Sequence, residues 1–406
     1  MIIPSRRTAN YHYAIRNIVD AAESLRRRGR EVIYLNIGDP QAFGFRPPDH
    51  IIDVVQSALA HRFTGYANSA GLKEARESVA AYSSALGSPT LPENVIITSG
   101  ASEAADLVLT ALVDREDEVL MPAPGYPLYP AILSKLGARA LYYSLEKDTE
   151  WQPDIDEIRS LIGERTRALL LINPNNPTGT ITRDETTVRL LELAAEHNLL
   201  VIADEVYREL CFSVPPTSAS VLAETVGTPV ITLESLSKTH LIPGWRVGWM
   251  RFTHAENMRE LISAITKLAS GRLCSPTPSQ YAVRPALEGE RGFLKEFIQQ
   301  IKQRRDFAVK RIAEIEGLSC VEPEAAFYLM VKADGVGESG DEAFVLDLLE
   351  ATGVLTVPGS GFGSDPRAGY FRIVYLPKET TLATVFNSIH RFMEGKSEHR
   401  SPKCEV

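Results

Sequence analysis

The pattern of hydrophobic and polar positions changes along the chain. Near the start, the apolar residues Ile15, Ile18, Val19, Ala22 and Leu25 recur at helical spacing and predict a helix. From about residue 94, short aliphatic runs alternate with helix-length amphipathic segments. These runs predict strands at 95–98, 118–121, 168–172, 200–203, 230–233 and 247–250. Such alternation is typical of an α/β domain whose mostly parallel sheet is covered by helices on both faces.

The last part of the chain has a different pattern. It predicts a long helix, two short strands and a final helix, at 292–316, 327–331, 371–375 and near 381–392. We therefore expect a large domain over residues 46–290 and a smaller α+β domain. The smaller domain combines 1–45, with the N-terminal helix, and 291–406.

Composition narrows the classes of function. The chain has 406 residues and a formal net charge of −9, from 43 Lys and Arg against 52 Asp and Glu. This balance argues against a nucleic-acid or anionic-membrane binder, because both need a basic surface. The four cysteines form no C-x-x-C pair, and the eight histidines lack the spacing of a catalytic zinc site. Since the first residues also lack a signal-peptide pattern, we expect a cytoplasmic protein without a metal site or membrane span.

The most informative motif is Ser-Leu-Ser-Lys at 235–238, which a Gly-Trp-Arg segment follows. Lysine is the side chain that forms a Schiff base with an aldehyde. An arginine with serine hydroxyls binds a phosphate dianion. Ser235, Ser237, Lys238 and Arg246 therefore predict a site for a phosphorylated aldehyde, although an exposed loop lysine would fit this one motif equally well.

Other predicted strands are followed by residues that suit the same ligand. A carboxylate at Asp204 could bind a metal, cap a helix or pair with a protonated ring nitrogen. Asn176 lies in a proline-rich loop, where its amide can donate to a phenolate-like oxygen. Ala101 and Ser102 open a predicted helix whose backbone N–H groups can bind a phosphate. Tyr126 presents an aromatic face suited to stacking on a flat ring.

These features follow five predicted strands in succession, and each suits a different part of one phosphorylated aldehyde. With them, the chain resembles the fold-type I, pyridoxal-phosphate-dependent aminotransferases of class I/II over essentially its whole length. The resemblance implies a large domain with a mostly parallel seven-stranded sheet and a small α+β domain. It also implies pyridoxal 5'-phosphate as cofactor and a homodimer with shared active sites.

The resemblance assigns cofactor contacts residue by residue. It implies that Lys238 forms the Schiff base and that Asp204 pairs with the ring nitrogen. Tyr207 and Asn176 are expected at the ring oxygen, with Tyr126 stacked on the ring. The expected phosphate contacts are Ala101, Ser102, Ser235, Ser237, Arg246 and, from the neighbouring subunit, Tyr66.

The resemblance also assigns substrate contacts. Arg372 matches the arginine that binds the substrate α-carboxylate as a bidentate fork, and Gly38 matches a backbone group at the same carboxylate. Asn176 is expected at the substrate as well. Arg272 and Arg16 compete for the distal carboxylate of a dicarboxylic substrate. We favour Arg16, because in alanine-type relatives its segment folds over the site as a lid and can withdraw from a small substrate.

Within the family, the likeness is greatest to the alanine aminotransferase branch, and it is carried by 13–16, 35–45 and 272–274. It implies transfer of an amino group between an L-amino acid, foremost alanine, and a 2-oxo acid, foremost 2-oxoglutarate, by a ping-pong mechanism. Aspartate or another donor, and lyase, decarboxylase or oxidase chemistry, are the alternatives on the same fold. One departure is Ala325, where the family usually has glycine in a loop that borders the substrate.

Overall fold

The computed structural model describes residues 2–5 and 18–398 of the chain. The helices are α1 Val19–Arg27, α2 Asp49–Ala60, α3 Lys73–Leu86, α4 Ala101–Leu112, α5 Leu128–Leu136, α6 Ile155–Leu161, α7 Asp184–Glu196, α8 Ala219–Val226, α9 Leu236–Thr239, α10 Arg259–Gly271, α11 Thr277–Gln280, α12 Val283–Glu288, α13 Gly292–Ala313, α14 Gly340–Thr352 and α15 Glu379–Glu398. The strands are β1 Ile33–Tyr34, β2 Val95–Thr98, β3 Glu118–Ala123, β4 Arg139–Ser144, β5 Thr166–Ile172, β6 Leu200–Asp204, β7 Val230–Ser235, β8 Gly248–Thr253, β9 Leu318–Cys320, β10 Tyr328–Ala333, β11 Val354–Leu355, β12 Val357–Pro358 and β13 Tyr370–Val374. None of the helices described combines the length and apolarity needed to cross a lipid bilayer.

A seven-stranded sheet in the order β2-β8-β7-β6-β5-β3-β4 forms the centre of the larger part. The strands from β7 to β4 pair in parallel, whereas β8 pairs antiparallel with both β7 and β2. β6 and β7 are buried along their whole length, which explains their continuous aliphatic runs. The prediction of an α/β fold with a mostly parallel seven-stranded sheet is confirmed.

The edge strand β4 was absent from the sequence-based prediction. Its residues alternate irregularly between exposed and partly buried positions, because one side of β4 has no neighbouring strand. It therefore lacks the aliphatic run that identified the central strands. Three central strands also extend further than predicted, to Ala123, Asp204 and Ser235, since backbone pairing continues through these polar or small residues. Asp204 and Ser235 are consequently the last residues of β6 and β7.

A second, antiparallel sheet in the order β12-β13-β10-β9 forms the smaller part. Its core includes Phe344, Phe371 and Phe386, and it also contains Ala22 and Leu25 of α1. The N-terminal helix thus packs against the C-terminal part of the chain. The short parallel pairing of β1 with β11 joins the same two parts. The exact domain boundaries, 46–290 against 1–45 with 291–406, stay a prediction.

A cluster of buried charges lies at the carboxyl edge of the large sheet. Arg251 on β8 is fully buried, and its Nε atom donates to Glu234 Oε2 at 2.8 Å. Its Nη2 atom lies 3.8 Å from Glu205 Oε2, and Arg208 Nε lies 3.4 Å from the same oxygen. Burial alone would raise the pKa of Glu234, but Arg251 and Arg208 hold it below its usual value. The cluster joins the middle of β8 to the carboxyl ends of β6 and β7.

Removal of the central arginine tests how much this cluster stabilises the fold. Arg251→Met leaves Glu205 and Glu234 buried without their shared partner, so we expect the free energy of unfolding in urea to fall by about 3–5 kcal/mol. Arg159→Met is the matched control, because Arg159 pairs with Glu196 at 2.6 Å on the exposed surface and should change little. Equal losses in the two variants would contradict the interpretation.

Candidate active site

One cavity of about 180 Å³ opens at the carboxyl ends of β5, β6 and β7, where the smaller part meets the large sheet. Ligand sites in open α/β sheets form at this edge, because loops from neighbouring strands converge there. Its lining consists of Asn36, Ile37, Gly38, Ala101, Ser102, Tyr126, Leu128, Tyr129, Ile172, Asn176, Asp204, Val206, Tyr207, Ser235, Ser237, Lys238, Pro243, Arg246, Tyr328 and Arg372.

Lys238 reaches this cavity from the short helix α9. The helix begins directly after β7, and the Ser235 hydroxyl caps it by accepting from the Ser237 backbone N–H at 3.3 Å. The Lys238 Nζ atom donates to the Gly38 carbonyl oxygen at 2.9 Å. The lysine thus projects into the cavity and is not an exposed loop residue.

Asp204 ends β6 inside the cavity and is buried. Its carboxylate accepts from the Tyr129 hydroxyl at 2.7 Å and from the Val206 backbone N–H at 3.3 Å. Burial raises the pKa of Asp204, and these two hydrogen bonds lower it only in part. No α-helix begins at Asp204, so the helix-cap alternative is wrong, and the described residues hold no cluster suited to a metal ion. Because both of these hydrogen-bond donors are neutral, the buried carboxylate is suited to pair with a cationic group of a ligand.

A cradle suited to an anion lines the same cavity as Lys238. It is formed by the N-terminus of α4, where Ala101 and Ser102 begin the helix and present backbone N–H groups. An added Cβ atom at Gly248 would lie 2.7 Å from the Ala101 backbone nitrogen, so only glycine lets β8 approach the helix this closely. Arg246 extends over the cradle, with Nη1 bonded to the Pro243 carbonyl at 2.9 Å. Ser235 and Ser237 complete it with buried hydroxyls.

Arg372 lies in the wall formed by β13 and is fully buried. Its Nη1 atom donates to Asn176 Oδ1 at 3.0 Å, and its Nη2 atom donates to the Asn36 backbone carbonyl. The guanidinium carbon lies 4.5 Å from the ring centroid of Tyr328 and 4.7 Å from that of Phe362. Two rings and two hydrogen bonds therefore hold this cation in one orientation.

Tyr207 directs its hydroxyl to that of Tyr328, at 2.8 Å. Burial, followed by the neighbouring Tyr328, Tyr126 and Asp204, raises the pKa of Tyr207 well above its ordinary value. The phenol therefore keeps its proton at neutral pH and is available as a hydrogen-bond donor. Tyr126, before α5, lines the same cavity.

Two of the described residues that the sequence singled out lie outside the cavity. Tyr66 is 84% exposed in the segment between α2 and α3. Arg272 has its Nε atom 2.9 Å from Glu103 Oε1, and its Nη atoms donate to the backbone carbonyls of Ser69 and Ile97 at 3.1 and 2.9 Å. Within this chain, these contacts direct Arg272 away from the cavity. Arg16 lies outside the described residues.

Among the cavity residues that the sequence did not reveal, Asn36, Tyr129 and Tyr328 carry polar side chains. Tyr129 stands one helical turn after Tyr126, a spacing that could have suggested a shared face. Asn36 is a polar residue inside the hydrophobic run of 33–37, which is a weak signal of a special contact. Tyr328 belongs to an apolar strand pattern and resembled an ordinary core position.

The chain is similar to one known protein family and to individual proteins across most of its length. The family model described as "Aminotransferase class I and II" matches residues 30–389. Glutamate-pyruvate aminotransferase AlaA of Escherichia coli (strain K12) is 35% identical, with 96% of this chain and 98% of that protein covered. Alanine aminotransferase of Mycobacterium tuberculosis (strain ATCC 25618 / H37Rv) is 35% identical, with 94% and 90% covered.

The solved structure of alanine aminotransferase from Pyrococcus furiosus has the same fold. It superposes with a TM-score of 0.94 at 38% sequence identity, and the match covers 97% of this chain and 100% of that one. The family model and this superposition both include the elements that form the cavity, from β1 to β13. The chain therefore belongs to the aminotransferase class I and II family.

Proposed function

We propose that the protein is a pyridoxal-phosphate-dependent aminotransferase that exchanges an amino group between L-alanine and 2-oxoglutarate in two half-reactions. The observation that carries this proposal is the convergence of Lys238, Asp204, Arg246 and Arg372 on one cavity. A nucleophilic amine, a buried carboxylate and two separate anion sites are the set that such a reaction requires. The names of the relatives from Escherichia coli, Mycobacterium tuberculosis and Pyrococcus furiosus support alanine as donor.

The residues of the cavity fit the cofactor. Its phosphate would be held by Ala101, Ser102, Ser235, Ser237 and Arg246. These residues supply backbone N–H groups, hydroxyls and one cation. A Cβ atom at residue 248 would crowd the backbone nitrogen of Ala101 at this place. Asp204 would pair with the ring nitrogen, and this pairing supplies the positive partner that the buried carboxylate needs. Tyr207 and Asn176 would donate to the ring oxygen, with Tyr126 against the ring.

Pyridoxal phosphate, when bound, supplies a reactive aldehyde and a protonated ring that draws electrons from the substrate Cα atom. The Lys238 amine serves as the base that takes the proton from Cα. Arg372 binds the α-carboxylate of either substrate and so fixes the Cα–H bond toward that amine. The buried rings around Arg372 exclude water, which strengthens the charge pairing.

The distal carboxylate of 2-oxoglutarate needs a further cation, and we propose Arg16. Within the described part of the chain, the cationic side chains that line the cavity are Lys238, Arg246 and Arg372. Each of them already serves the reaction or the phosphate. The contacts of Arg272 with Glu103 and two carbonyl groups favour a structural role for it.

We also propose a homodimer with shared sites, in the cytoplasm. Tyr66 and Leu273 are exposed at 84% and 54%, on segments joined by the contact of Ser69 with Ser270 at 3.2 Å. An exposed tyrosine beside apolar surface is suited to reach the phosphate in a second subunit. The free thiols among the described cysteines support a reducing compartment.

The first test of this function concerns the lysine. The purified protein should absorb visible light once pyridoxal phosphate is bound, and borohydride should attach the cofactor to the peptide that contains Lys238. Lys238→Ala should lose turnover of alanine with 2-oxoglutarate by several orders of magnitude, because the base is removed. Pyruvate and glutamate are the products to assay, with ammonia and carbon dioxide monitored for lyase or decarboxylase chemistry.

Lys73→Ala is the control for that test, because the Lys73 side chain is 81% exposed on α3. It should retain normal turnover and cofactor attachment. A Lys238→Ala enzyme that transaminates at a near-normal rate would refute the assignment of the base.

The choice between the two arginines is tested by substrate selectivity. Arg16→Ala should raise KM for 2-oxoglutarate far more than KM for alanine. The difference should correspond to about 2 kcal/mol of binding free energy, as expected for the loss of a charge-assisted pair. Arg272→Ala should not discriminate between the substrates, since its contacts are to Glu103, Ser69 and Ile97. If Arg272→Ala alone raises KM selectively for 2-oxoglutarate, while Arg16→Ala raises KM equally for both substrates, Arg272 is the residue that binds the distal carboxylate.

A further inference from the structure

We infer that Tyr328 is a positioning residue that joins the two halves of the active site. Its hydroxyl supports Tyr207 at the cofactor ring oxygen, and its ring supports Arg372 at the substrate carboxylate. The inference rests on the proposed function, because it assigns Tyr328 a role at that same site. The sequence assigned no role to this residue, although it directly follows the loop of Ala325.

The ladder of the smaller sheet accounts for the position of Tyr328. It begins β10 and lies opposite Val374 of β13, while Met330 lies opposite Arg372. Tyr328 and Arg372 are therefore diagonal neighbours on one face of the sheet, a separation that long side chains can span. Tyr328 is 3% exposed, so its ring and hydroxyl are fixed by packing.

Counting protons determines the direction of the hydrogen bond between the two tyrosines. Each phenol has a single proton to donate. If Tyr207 gives its proton to the ring oxygen of the cofactor, then Tyr328 must donate to Tyr207 across the 2.8 Å contact. A donor whose own oxygen accepts a hydrogen bond is a stronger donor. Tyr328 would thereby help Tyr207 to stabilise negative charge on the ring oxygen.

The surroundings of Tyr207 favour its protonated state. The titratable and charged groups that face the pair of tyrosines are Asp204, Tyr126, Lys238, Arg372 and Tyr375. Burial, with the phenols and the carboxylate among these groups, raises the pKa of Tyr207 well above its ordinary value. The Tyr207 phenol therefore keeps its proton near neutral pH and can act as a donor.

The ring of Tyr328 has a second, separable contact. The guanidinium carbon of Arg372 lies 4.5 Å from the centroid of this ring and 4.7 Å from that of Phe362. These two cation–π contacts restrict rotation of the fork that binds a carboxylate. Phe362 has no contact with Tyr207 among the aromatic pairs of the described chain, so it shares only the second role.

Gly38 limits where the Tyr328 hydroxyl can lie. A Cβ atom added at Gly38 would overlap the hydroxyl oxygen of Tyr328 and the ring of Phe327. The same glycine accepts the hydrogen bond from Lys238 Nζ through its carbonyl group. The backbone at this position therefore packs directly against Tyr328 while it contacts the reactive lysine.

The hydroxyl is tested with Tyr328→Phe in the holoenzyme. The readout is the pH midpoint at which the visible absorption of the bound cofactor changes, measured without substrate. Loss of the donor to Tyr207 leaves the ring oxygen more basic, so the midpoint should rise by roughly half a unit to one unit. The variant keeps its ring, and its dissociation constant for propionate, measured by spectral titration, should stay near that of the wild type.

The ring is tested with Tyr328→Leu and the matched Phe362→Leu. Both should weaken propionate binding and raise KM for alanine and 2-oxoglutarate alike, by roughly three- to tenfold, because each removes one cation–π contact of Arg372. Only Tyr328→Leu should also raise the pH midpoint. Far-UV circular dichroism and urea unfolding of each variant verify that it is folded.

The outcomes separate this inference from the proposed function. An unchanged midpoint in Tyr328→Phe, together with a raised midpoint in Tyr207→Phe, would overturn the relay. Unchanged propionate binding in Tyr328→Leu would overturn the role of the ring. If the wild-type protein fails to bind pyridoxal phosphate, the proposed function itself is wrong.

Discussion

The pairing of Arg251 with Glu234 and Glu205 is the interaction on which the arrangement of the site depends. Glu205 directly follows Asp204, the last residue of β6, and Glu234 directly precedes Ser235, the last residue of β7. By holding the two glutamates, the buried arginine sets the relative position of the two strand ends. A carboxylate and a serine from different strands can then serve one ligand without being mobile themselves.

The smaller sheet completes the cavity through a few direct contacts with this edge. Arg372 Nη1 bonds to Asn176 Oδ1, and the hydroxyls of Tyr207 and Tyr328 meet at 2.8 Å. The Phe362 carbonyl accepts from the Gly125 backbone N–H at 2.8 Å. Each contact pairs a residue after a central strand with one from β10, β13 or the segment between β12 and β13. Binding of a carboxylate at Arg372 is thereby coupled to the position of the residues around the ring site.

The central part of the fold and the polar residues at its strand ends could be predicted from the sequence, because buried parallel strands have continuous aliphatic runs and their carboxyl ends converge. The edge strand β4 could not, since partial exposure removes the run. Tyr328 was missed for the opposite reason: its functional contacts come from cross-strand register, which no local pattern encodes. The contact of Arg272 with Glu103 could not be predicted either, because the two residues lie far apart in the sequence and meet only in the folded chain.

The two proposed substrates require one part of the site to be rigid and another part to differ between them. Alanine and 2-oxoglutarate share an α-carboxylate, and the cation assigned to it is fully buried, bonded to Asn176 and in contact with two aromatic rings. Such a site binds both substrates in one orientation, which is what transfer at a single Cα position requires. A second cation fixed as rigidly inside a cavity of about 180 Å³ would be left uncompensated whenever alanine is bound. The group that distinguishes the substrates is therefore best supplied from outside the buried wall, as an arginine that can be solvated when it is not needed.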